Sequence, residues 1–431
     1  MTNPLFPRRQ ADEIRQALLN RQEVALVDVR EEASYAEGHP LFAANIPLSR
    51  LEADVMARIP RRSVPVTLYD NGEGLAAVAA RRLQALGYLD VALLADGLAG
   101  WAAAGGELFI DVNSPSKAFG ELVAHRRQTP SLAAEELKRL LDAAEDVAVL
   151  DVRRFDEYQT MNIPGGISVP GAELVLRVRD LVPSPTTRII VNCAGRTRGI
   201  IGAQSLINAG IANPVAALRN GTIGWMLAGL PLEHHQRRRY PAVSETAGRV
   251  AAVAARRVAD RAGVKRLGAG ELQRWLTQPD RTTYVFDVRQ PEEYAAGHFP
   301  AARPVPGGQL VQETDHYASV RGARIVLTDG RGGTRADMTA SWLAQMGWQV
   351  WVLDGEDAGF TVSGPWTAPL PELSPDEAAF QSPRPLPRRY RRPYEGTGNS
   401  PRAMQDYISW ELGLVAQLER DGSHGFFVLT F

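Results

Sequence analysis

The triplet Asp-Val-Arg closes three apolar runs of the chain: Val24-Ala-Leu-Val-Asp-Val-Arg30, Val147-Ala-Val-Leu-Asp-Val-Arg153 and Tyr284-Val-Phe-Asp-Val-Arg289. Each run is short and apolar, as is typical of a buried strand in a parallel sheet. A second apolar run ends 40 residues after each arginine, at Asp70, Cys193 and Asp329. An aromatic residue follows 31 or 32 positions later, at Trp101, Trp225 and Phe360. These matched spacings predict three copies of one module.

Each copy alternates strand patterns with helix patterns. In module two, Leu132–Leu141 predicts a helix before the first strand, and Ile200–Ala209 predicts one after the second strand. This alternation, in units near 100 residues, predicts an α/β fold with helices on both faces of each sheet. The predicted divisions are module one at 1–127, module two at 128–235, a basic helical linker at 236–262, module three at 263–368 and a tail at 369–431.

The composition of the 431 residues excludes several classes of protein. There are 48 basic and 49 acidic residues, which argues against a dedicated nucleic-acid binder. No apolar run reaches the roughly 18 residues that a membrane helix needs, and the amino terminus has no signal-peptide pattern. The single cysteine excludes an intrachain disulfide and a thiolate-rich metal site, and it favours the reducing cytoplasm. No dinucleotide-binding fingerprint or histidine ligand spacing occurs, so we expect no metal and no cofactor.

Three segments outside the modules have distinct patterns. Residues 237–266 contain nine basic and two acidic side chains, and Glu245–Ala262 predicts an alanine-rich helix. A solvated connector helix and a site for an acidic partner both remain open there. Pro383–Pro393, with five arginines and four prolines, predicts an extended linker. A final amphipathic helix that docks on the modules is predicted from residues at helical spacing: Met404, Tyr407, Ile408, Leu412, Val415 and Leu418. A lid or a helix that binds a partner stays open as the alternative.

The turn after the second apolar run differs in chemistry between the modules. It reads Asp70-Asn-Gly-Glu-Gly in module one, Cys193-Ala-Gly-Arg-Thr-Arg198 in module two and Asp329-Gly-Arg-Gly-Gly-Thr-Arg335 in module three. A loop between a strand end and a helix amino terminus exposes backbone N–H groups to an anion. Together with Arg196 and Arg198, those groups favour a reactive Cys193 thiolate.

Several alternatives remain open for these residues. A lone cysteine is also commonly a small buried apolar residue, and His234 with His235 could supply a base to it. Arg153 either adds positive charge to the loop or pairs with Asp151. Asp70 is interpreted as a helix cap, since a carboxylate accepts backbone N–H bonds. Arg331 and Arg335 leave open an anion site in module three.

Together these segments resemble the rhodanese family of sulfurtransferases. The resemblance rests on Asp-Val-Arg, on the Glu-Tyr and Gly-His-x-Pro-Ala elements between Glu293 and Ala301, on the Cys193 loop and on the closing Gly-Trp. It implies five-stranded, mainly parallel sheets, with a persulfide carried by Cys193 in the middle module alone. It also implies a substrate-binding set consisting of Ala194, Gly195, Arg196, Thr197 and Arg198, to which we add Arg153.

The resemblance implies transfer of a sulfane sulfur from thiosulfate, or from a low-molecular-weight persulfide, to cyanide or a thiol. A protein acceptor is a further candidate, whereas no nucleic-acid or membrane partner is expected. One alternative is a scaffold in which Cys193 senses persulfide or oxidant without turnover. A cysteine phosphatase or arsenate reductase is less favoured, because related phosphatases keep five residues between cysteine and arginine and here there are four.

Overall fold

The computed structural model of the chain describes residues 6–330, 332–355, 360–371, 388–396 and 398–430. It contains three five-stranded sheets in which all neighbouring strands run parallel. Helices cover both faces of each sheet, and a long helix lies near the carboxyl end. The predicted fold class is therefore confirmed.

Module one begins at β1 (Arg8–Arg9) and has the sheet order β1-β5-β4-β2-β3. Its further elements are α1 (Ala11–Leu19), β2 (Ala25–Asp28), α2 (Glu32–Tyr35), β3 (Ala44–Asn45), a 3-10 turn (Leu48–Arg50), α3 (Leu51–Arg58), β4 (Val66–Tyr69), α4 (Leu75–Ala85), β5 (Val91–Leu94) and α5 (Gly97–Ala103). The connection to module two is a helix, α6 (Ser114–Arg127).

Module two repeats this plan in the order β6-β10-β9-β7-β8. Its elements are β6 (Ser131–Leu132), α7 (Ala134–Asp142), β7 (Val147–Asp151), α8 (Phe155–Thr160), β8 (Ile167–Ser168), a 3-10 turn (Gly171–Glu173), α9 (Leu174–Leu181), β9 (Arg188–Asn192), α10 (Thr197–Asn208), β10 (Val215–Leu218) and α11 (Gly221–Leu227). The predicted helix at Leu132–Leu141 begins two residues later, because Ser131 and Leu132 pair with β10 as an edge strand.

The linker helix, α12 (Glu245–Arg261), leads into module three, whose order is β11-β15-β14-β12-β13. Its elements are β11 (Lys265–Gly268), α13 (Ala269–Leu276), β12 (Thr283–Asp287), α14 (Pro291–Ala296), β13 (Arg303–Pro304), α15 (Gly307–Gln312), α16 (Thr314–Tyr317), β14 (Arg324–Thr328), α17 (Thr334–Gln345) and β15 (Gln349–Asp354). In the predicted extended segment, residues 383–387 lie outside the described part of the chain.

The carboxyl-terminal helix is α18 (Pro401–Asp421). The Ser400 hydroxyl caps it by accepting the Ala403 N–H at 3.1 Å. Four of the predicted apolar residues, namely Met404, Tyr407, Ile408 and Leu418, are buried. The prediction for Leu412 was wrong: its side chain is 57% exposed, because Glu411 and Leu414 occupy that part of the buried face.

The Asp-Val-Arg triplet forms the same buried ion pair in every module. Each arginine has a nitrogen 2.6 to 2.7 Å from the aspartate two positions earlier, in the pairs Asp28–Arg30, Asp151–Arg153 and Asp287–Arg289. The same guanidinium also donates to a backbone carbonyl eight residues further on. The triplet therefore fastens the end of a strand to the loop that follows it.

One apolar core continues across the boundaries between the modules. Phe119 of α6 packs edge to face against Trp342 of module three and against Phe426, with ring centroids 6.0 and 5.5 Å apart. Leu414 of α18 belongs to the same cluster, together with residues of the module-one and module-three sheets. Burying this shared surface, at roughly 25 cal/mol per Å² of apolar area, holds the modules and the tail together.

Among the described residues, no helix is both long and apolar enough to cross a bilayer.

Candidate active site

The only cysteine of the chain lies directly after β9, the central strand of the module-two sheet. Strand β9 ends at Asn192, and α10 begins at Thr197, so that Cys193 to Arg196 form the connection. In a parallel sheet such a connection lies at the carboxyl edge, where ligands of α/β proteins bind. The described geometry thus places the predicted loop where ligand chemistry is expected.

The turn after β10 holds the Cys193 loop in place. The Thr222 N–H and hydroxyl donate to the Cys193 carbonyl at 2.8 and 3.0 Å, and the Ile223 N–H donates to the Ala194 carbonyl at 2.9 Å. Gly221 has a φ of +53°, and a β-carbon there would collide with the carbonyl oxygens of Cys193 and Gly195. The repeated segment that ends at Trp225 is therefore a support for the Cys193 loop.

Both arginines of the loop are paired with glutamates. Arg196 donates to Glu121 of α6 at 2.6 and 2.8 Å and to Asn220 at 3.0 Å. Arg198 donates to Glu157 of α8 through two bonds of 2.8 Å. Neither arginine thus presents an unneutralised charge to the loop, and their roles in substrate binding stay predictions.

Sequence reasoning missed both glutamates, although a signal for one was present. Glu157-Tyr158 in module two corresponds to Glu293-Tyr294 in module three, where Glu293 pairs with the terminal loop residue Arg335 at 2.6 Å. Module one has Ser34 before its tyrosine and no arginine in its turn. The residue before the tyrosine and the last loop residue therefore vary together among the modules.

Cys193 is 2% exposed and lies in an apolar cluster of module two. Burial raises the pKa of the thiol to about 11, and the nearby charge of Arg198 and the Gly199 N–H only partly oppose that effect. The predicted stabilisation of a Cys193 thiolate by the loop stays a prediction, and burial of the sulfur opposes it in this arrangement. The physical reason is that Glu157 neutralises Arg198, while burial disfavours the charged sulfur.

The carboxyl-terminal tail packs against the loop that contains Cys193. Tyr394, Tyr407 and Ile408 pack with Ala194 in one apolar cluster. A β-carbon at Gly195 would lie 3.2 Å from the Tyr407 ring, so the tail covers the loop closely. The sequence predicted a helix that docks on the modules, but no local pattern indicated the loop as its docking place.

The remaining predicted loop residue also contacts α18. The Thr197 hydroxyl donates to Oε1 of Glu411 at 3.4 Å, and the methyl side of Thr197 faces Gly120 of α6. Arg153 is buried and bonded to Asp151, as one of the two sequence alternatives proposed. His234 bonds the Thr160 carbonyl at 2.7 Å and is exposed.

The corresponding turns of modules one and three bind their own backbone. Asp70 accepts the N–H groups of Gly72 and Ala76 at 2.9 and 2.8 Å, which confirms its interpretation as a cap. In module three, Asp329 accepts the Arg335 and Ala336 N–H groups at 2.8 and 3.1 Å. The Arg335 side chain is paired with three carboxylates, those of Asp329, Glu173 and Glu293, while Arg331 lies outside the described residues.

Two cavities reach the end of the Cys193 loop. One of about 550 Å³ lies where the three modules and the tail meet, and its lining includes Arg153, Glu157 and Arg198. Another of about 410 Å³ lies between modules two and three and includes Thr197 and Arg198. Both volumes are in the range of small-molecule sites, and Arg198 lines both cavities. No group of three or more potential metal ligands occurs among the described residues.

Comparison with known proteins adds a family to this geometry. The rhodanese-like domain matches residues 10–104, 133–228 and 268–360, which is more than half of the chain. The chain belongs to the rhodanese family. The predicted membership, with three tandem modules of which the middle one has the cysteine, is confirmed.

The proteins that this chain resembles include one that matches it over all three modules. A crystal structure of a thiosulfate sulfurtransferase from Pseudomonas aeruginosa is 53% identical, covers 98% of this chain and 100% of that chain, and has a TM-score of 0.94. An HTH-type transcriptional regulator of Mycobacterium tuberculosis is 34% identical over 103 residues, 24% of this chain. The chain spans 44% of that regulator's length. The protein YrkF of Bacillus subtilis is 25% identical over 140 residues, 29% of this chain and 72% of that protein.

Proposed function

We propose that the protein is a sulfurtransferase in which Cys193 carries the sulfur. The observation that carries this proposal is the position of the only cysteine, in a loop at the carboxyl end of a central strand in a rhodanese-family module. The likeness to a thiosulfate sulfurtransferase over 98% of the chain supports it. The donor is thiosulfate or a low-molecular-weight persulfide, and the acceptor is cyanide or a thiol.

The proposed chemistry occurs in two steps. The thiol first loses its proton, and the Cys193 sulfur attacks the outer sulfur of thiosulfate. The sulfur–sulfur bond of thiosulfate breaks, and sulfite leaves with the bonding electron pair, so that Cys193 becomes an anionic persulfide. Cyanide or a thiolate then attacks the outer persulfide sulfur, and the cysteine thiolate is the leaving group.

The loop and its supports would stabilise the anionic sulfur. The amino terminus of α10, with the Gly199 N–H directed at the Cys193 sulfur, favours negative charge. Substrates would reach the loop through the cavities that Arg198 lines. In this proposal Ala194 to Arg198 form the binding loop, while Arg153 acts through its ion pair with Asp151.

Mass spectrometry of the intact protein tests this proposal. Thiosulfate should add one sulfur atom, about 32 Da, to the wild type but not to Cys193→Ser, and cyanide or a thiol should remove it. Serine is the matched control because it keeps the size of the side chain. Sulfite release that persists in the serine variant would refute the assignment.

Burial of Cys193 also supports a second candidate, a sensor that is loaded without turnover. In that case the added sulfur would stay on the protein when acceptor thiols are supplied. A protein with no adduct, but with activity on an aryl phosphate, would instead support phosphatase chemistry.

A thiol that must stay reduced suits a reducing compartment, and we therefore propose the cytoplasm, with a small-molecule or protein thiol as acceptor.

A further inference from the structure

The carboxyl-terminal helix places one unpaired carboxyl group over the Cys193 loop. Glu411 of α18 is 1% exposed. Its Oε1 atom accepts the Tyr407 hydroxyl at 2.8 Å and the Thr197 hydroxyl at 3.4 Å, whereas Oε2 has no hydrogen-bond partner in the described structure. A β-carbon at Gly195 would lie 3.3 Å from Oε2, so that this free oxygen faces the loop backbone.

The cations around Glu411 are already bound to other carboxylates. Arg196 is paired with Glu121, as described above, and the Lys117 amino group lies 2.7 Å from Asp111. In the described part of the chain Glu411 has no cation within the 4 Å of an ion pair. A buried carboxyl group without a counter-charge is more stable when it holds a proton.

The groups that face Glu411 come from three elements, and their effects on its pKa are opposed. Burial raises the pKa of Glu411 to about 7, and the negative charge of Glu121 acts in the same direction. Lys117 of α6, Arg196 of the loop and the Tyr407 hydroxyl of the same helix lower it. Glu411 thus gains and loses its proton close to neutral pH, where a proton-transfer group is most useful.

Glu411 and Cys193 interact electrostatically. The negative charge of Glu411 raises the pKa of the Cys193 thiol, which means that an ionised carboxylate disfavours an anionic sulfur. Such coupling is reciprocal, so an anionic sulfur on Cys193 must favour the protonated form of Glu411. The two groups therefore do not readily carry negative charge at the same time.

We propose that Glu411, supplied by the tail, holds the proton that Cys193 gives up when sulfur enters the loop. In the loading step, which rests on the proposed function, the thiol, the carboxylate and thiosulfate become the anionic persulfide, the carboxylic acid and sulfite. The total charge is −3 on both sides, and the single proton moves from sulfur to carboxylate. Glu411 thus balances the charge of the loop during loading. Discharge of the persulfide returns Glu411 to its ionised form.

The first test needs no sulfur donor. Because the chain has one cysteine, labelling cysteine with ¹³C at its β-carbon gives a single resonance whose shift can be followed against pH. In Glu411→Gln the inflection near pH 7 should vanish, and the Cys193 pKa should fall by about one unit, a tenfold rise in the thiolate fraction. The glutamine keeps the shape of the side chain but cannot ionise.

Two further variants separate charge from packing. Tyr407→Phe removes a hydrogen bond that favours the ionised carboxylate, so the inflection near pH 7 should persist and move to higher pH. Gln417→Ala, on the same helix but bonded to the Leu108 carbonyl, should leave both pKa values unchanged. A Cys193 pKa that is the same in Glu411→Gln and in the wild type would overturn the proposal, as would a Tyr407→Phe inflection that does not move.

The second test follows the proton itself. In weakly buffered solution at pH 7.5, Glu411→Gln should release more protons for each persulfide formed from thiosulfate than the wild type, because glutamine cannot take up the thiol proton. Equal proton release would contradict the proposed role. If thiosulfate produces no adduct on either protein, the proposed function fails, while the resonance titration still decides whether Glu411 and Cys193 are coupled.

Discussion

Arg198 and Glu157 face each other through two parallel hydrogen bonds of 2.8 Å, one from each terminal nitrogen of the guanidinium. Glu157 lies on α8 and Arg198 in the first turn of α10, so this pair ties the two helices together beside the Cys193 loop. Burial alone would raise the pKa of Glu157, but Arg198 lowers it to about 2. The pair remains ionised at neutral pH, and the positive charge of Arg198 is largely cancelled.

Replacing Glu157 by glutamine should make the cysteine more acidic. Glu157→Gln leaves Arg198 without its counter-charge, and Arg198 is the principal charge that lowers the pKa of Cys193. We expect the thiol pKa to fall from about 11 by about one unit. The β-carbon resonance of the labelled cysteine measures it, with the exposed Glu135→Gln as control. An unchanged or higher pKa would contradict the cancellation of charge described here.

The ion pair of Glu157 and Arg198 should make the free energy of unfolding depend on pH in acidic solution. The folded pKa of Glu157, about 2, is below the ordinary value of 4.5, so its contribution is complete above pH 4.5 and is lost as the pH falls towards 2. The loss for the wild type amounts to as much as about 3 kcal/mol. Urea unfolding at pH 6 and pH 3 should show a smaller change in Glu157→Gln. An equal change in both proteins would exclude this pair as its source.

Gly221→Ala should disrupt the support of the Cys193 loop. The added carbon would collide with the Cys193 and Gly195 carbonyl oxygens, and the φ of +53° disfavours a side chain. We expect a loss of at least about 2 kcal/mol in the free energy of unfolding and a lower rate of sulfur loading. Gly229→Ala is the matched control, with a φ of +70° and nothing within 4 Å of the added carbon. Equal losses in the two variants would indicate backbone strain alone.

Asp70→Ala should affect stability without affecting sulfur chemistry. Asp70 accepts two backbone N–H groups, so its loss should cost about 1 kcal/mol, as measured by urea unfolding. Loading of Cys193 by thiosulfate should be unchanged in the mass spectrum. The surface residue Asp142, which pairs with Lys138 four positions earlier, provides the control Asp142→Ala, which should cost little. A large loss of loading in Asp70→Ala would show that module one takes part in the reaction.

Much of the site can be predicted by comparing the three modules in the sequence. One part of it, the partner of Arg198, could have been predicted in the same way but was not. The position of Cys193 and the cap formed by Asp70 follow from local patterns. The partner of Arg198 was also present in the sequence, because Glu157 and Glu293 precede the same tyrosine in the two modules whose turns end in arginine. Glu121 has no such counterpart, since α6 lies between modules and is not repeated.

The sequence by itself determined the three modules, their parallel sheets and the one module that contains a cysteine. These properties follow from the alternation of strand and helix patterns and from the matched spacings of the repeated residues, both of which can be read along the chain. The charge state of the loop was decided only by the tertiary structure. Glu121 and Glu411 come from 75 and 214 residues away along the chain, measured from Arg196 and Thr197, and the tail packs against Ala194 of the loop. A pKa depends on burial and on all charges within a few ångströms, and those distances exist only once the chain has folded.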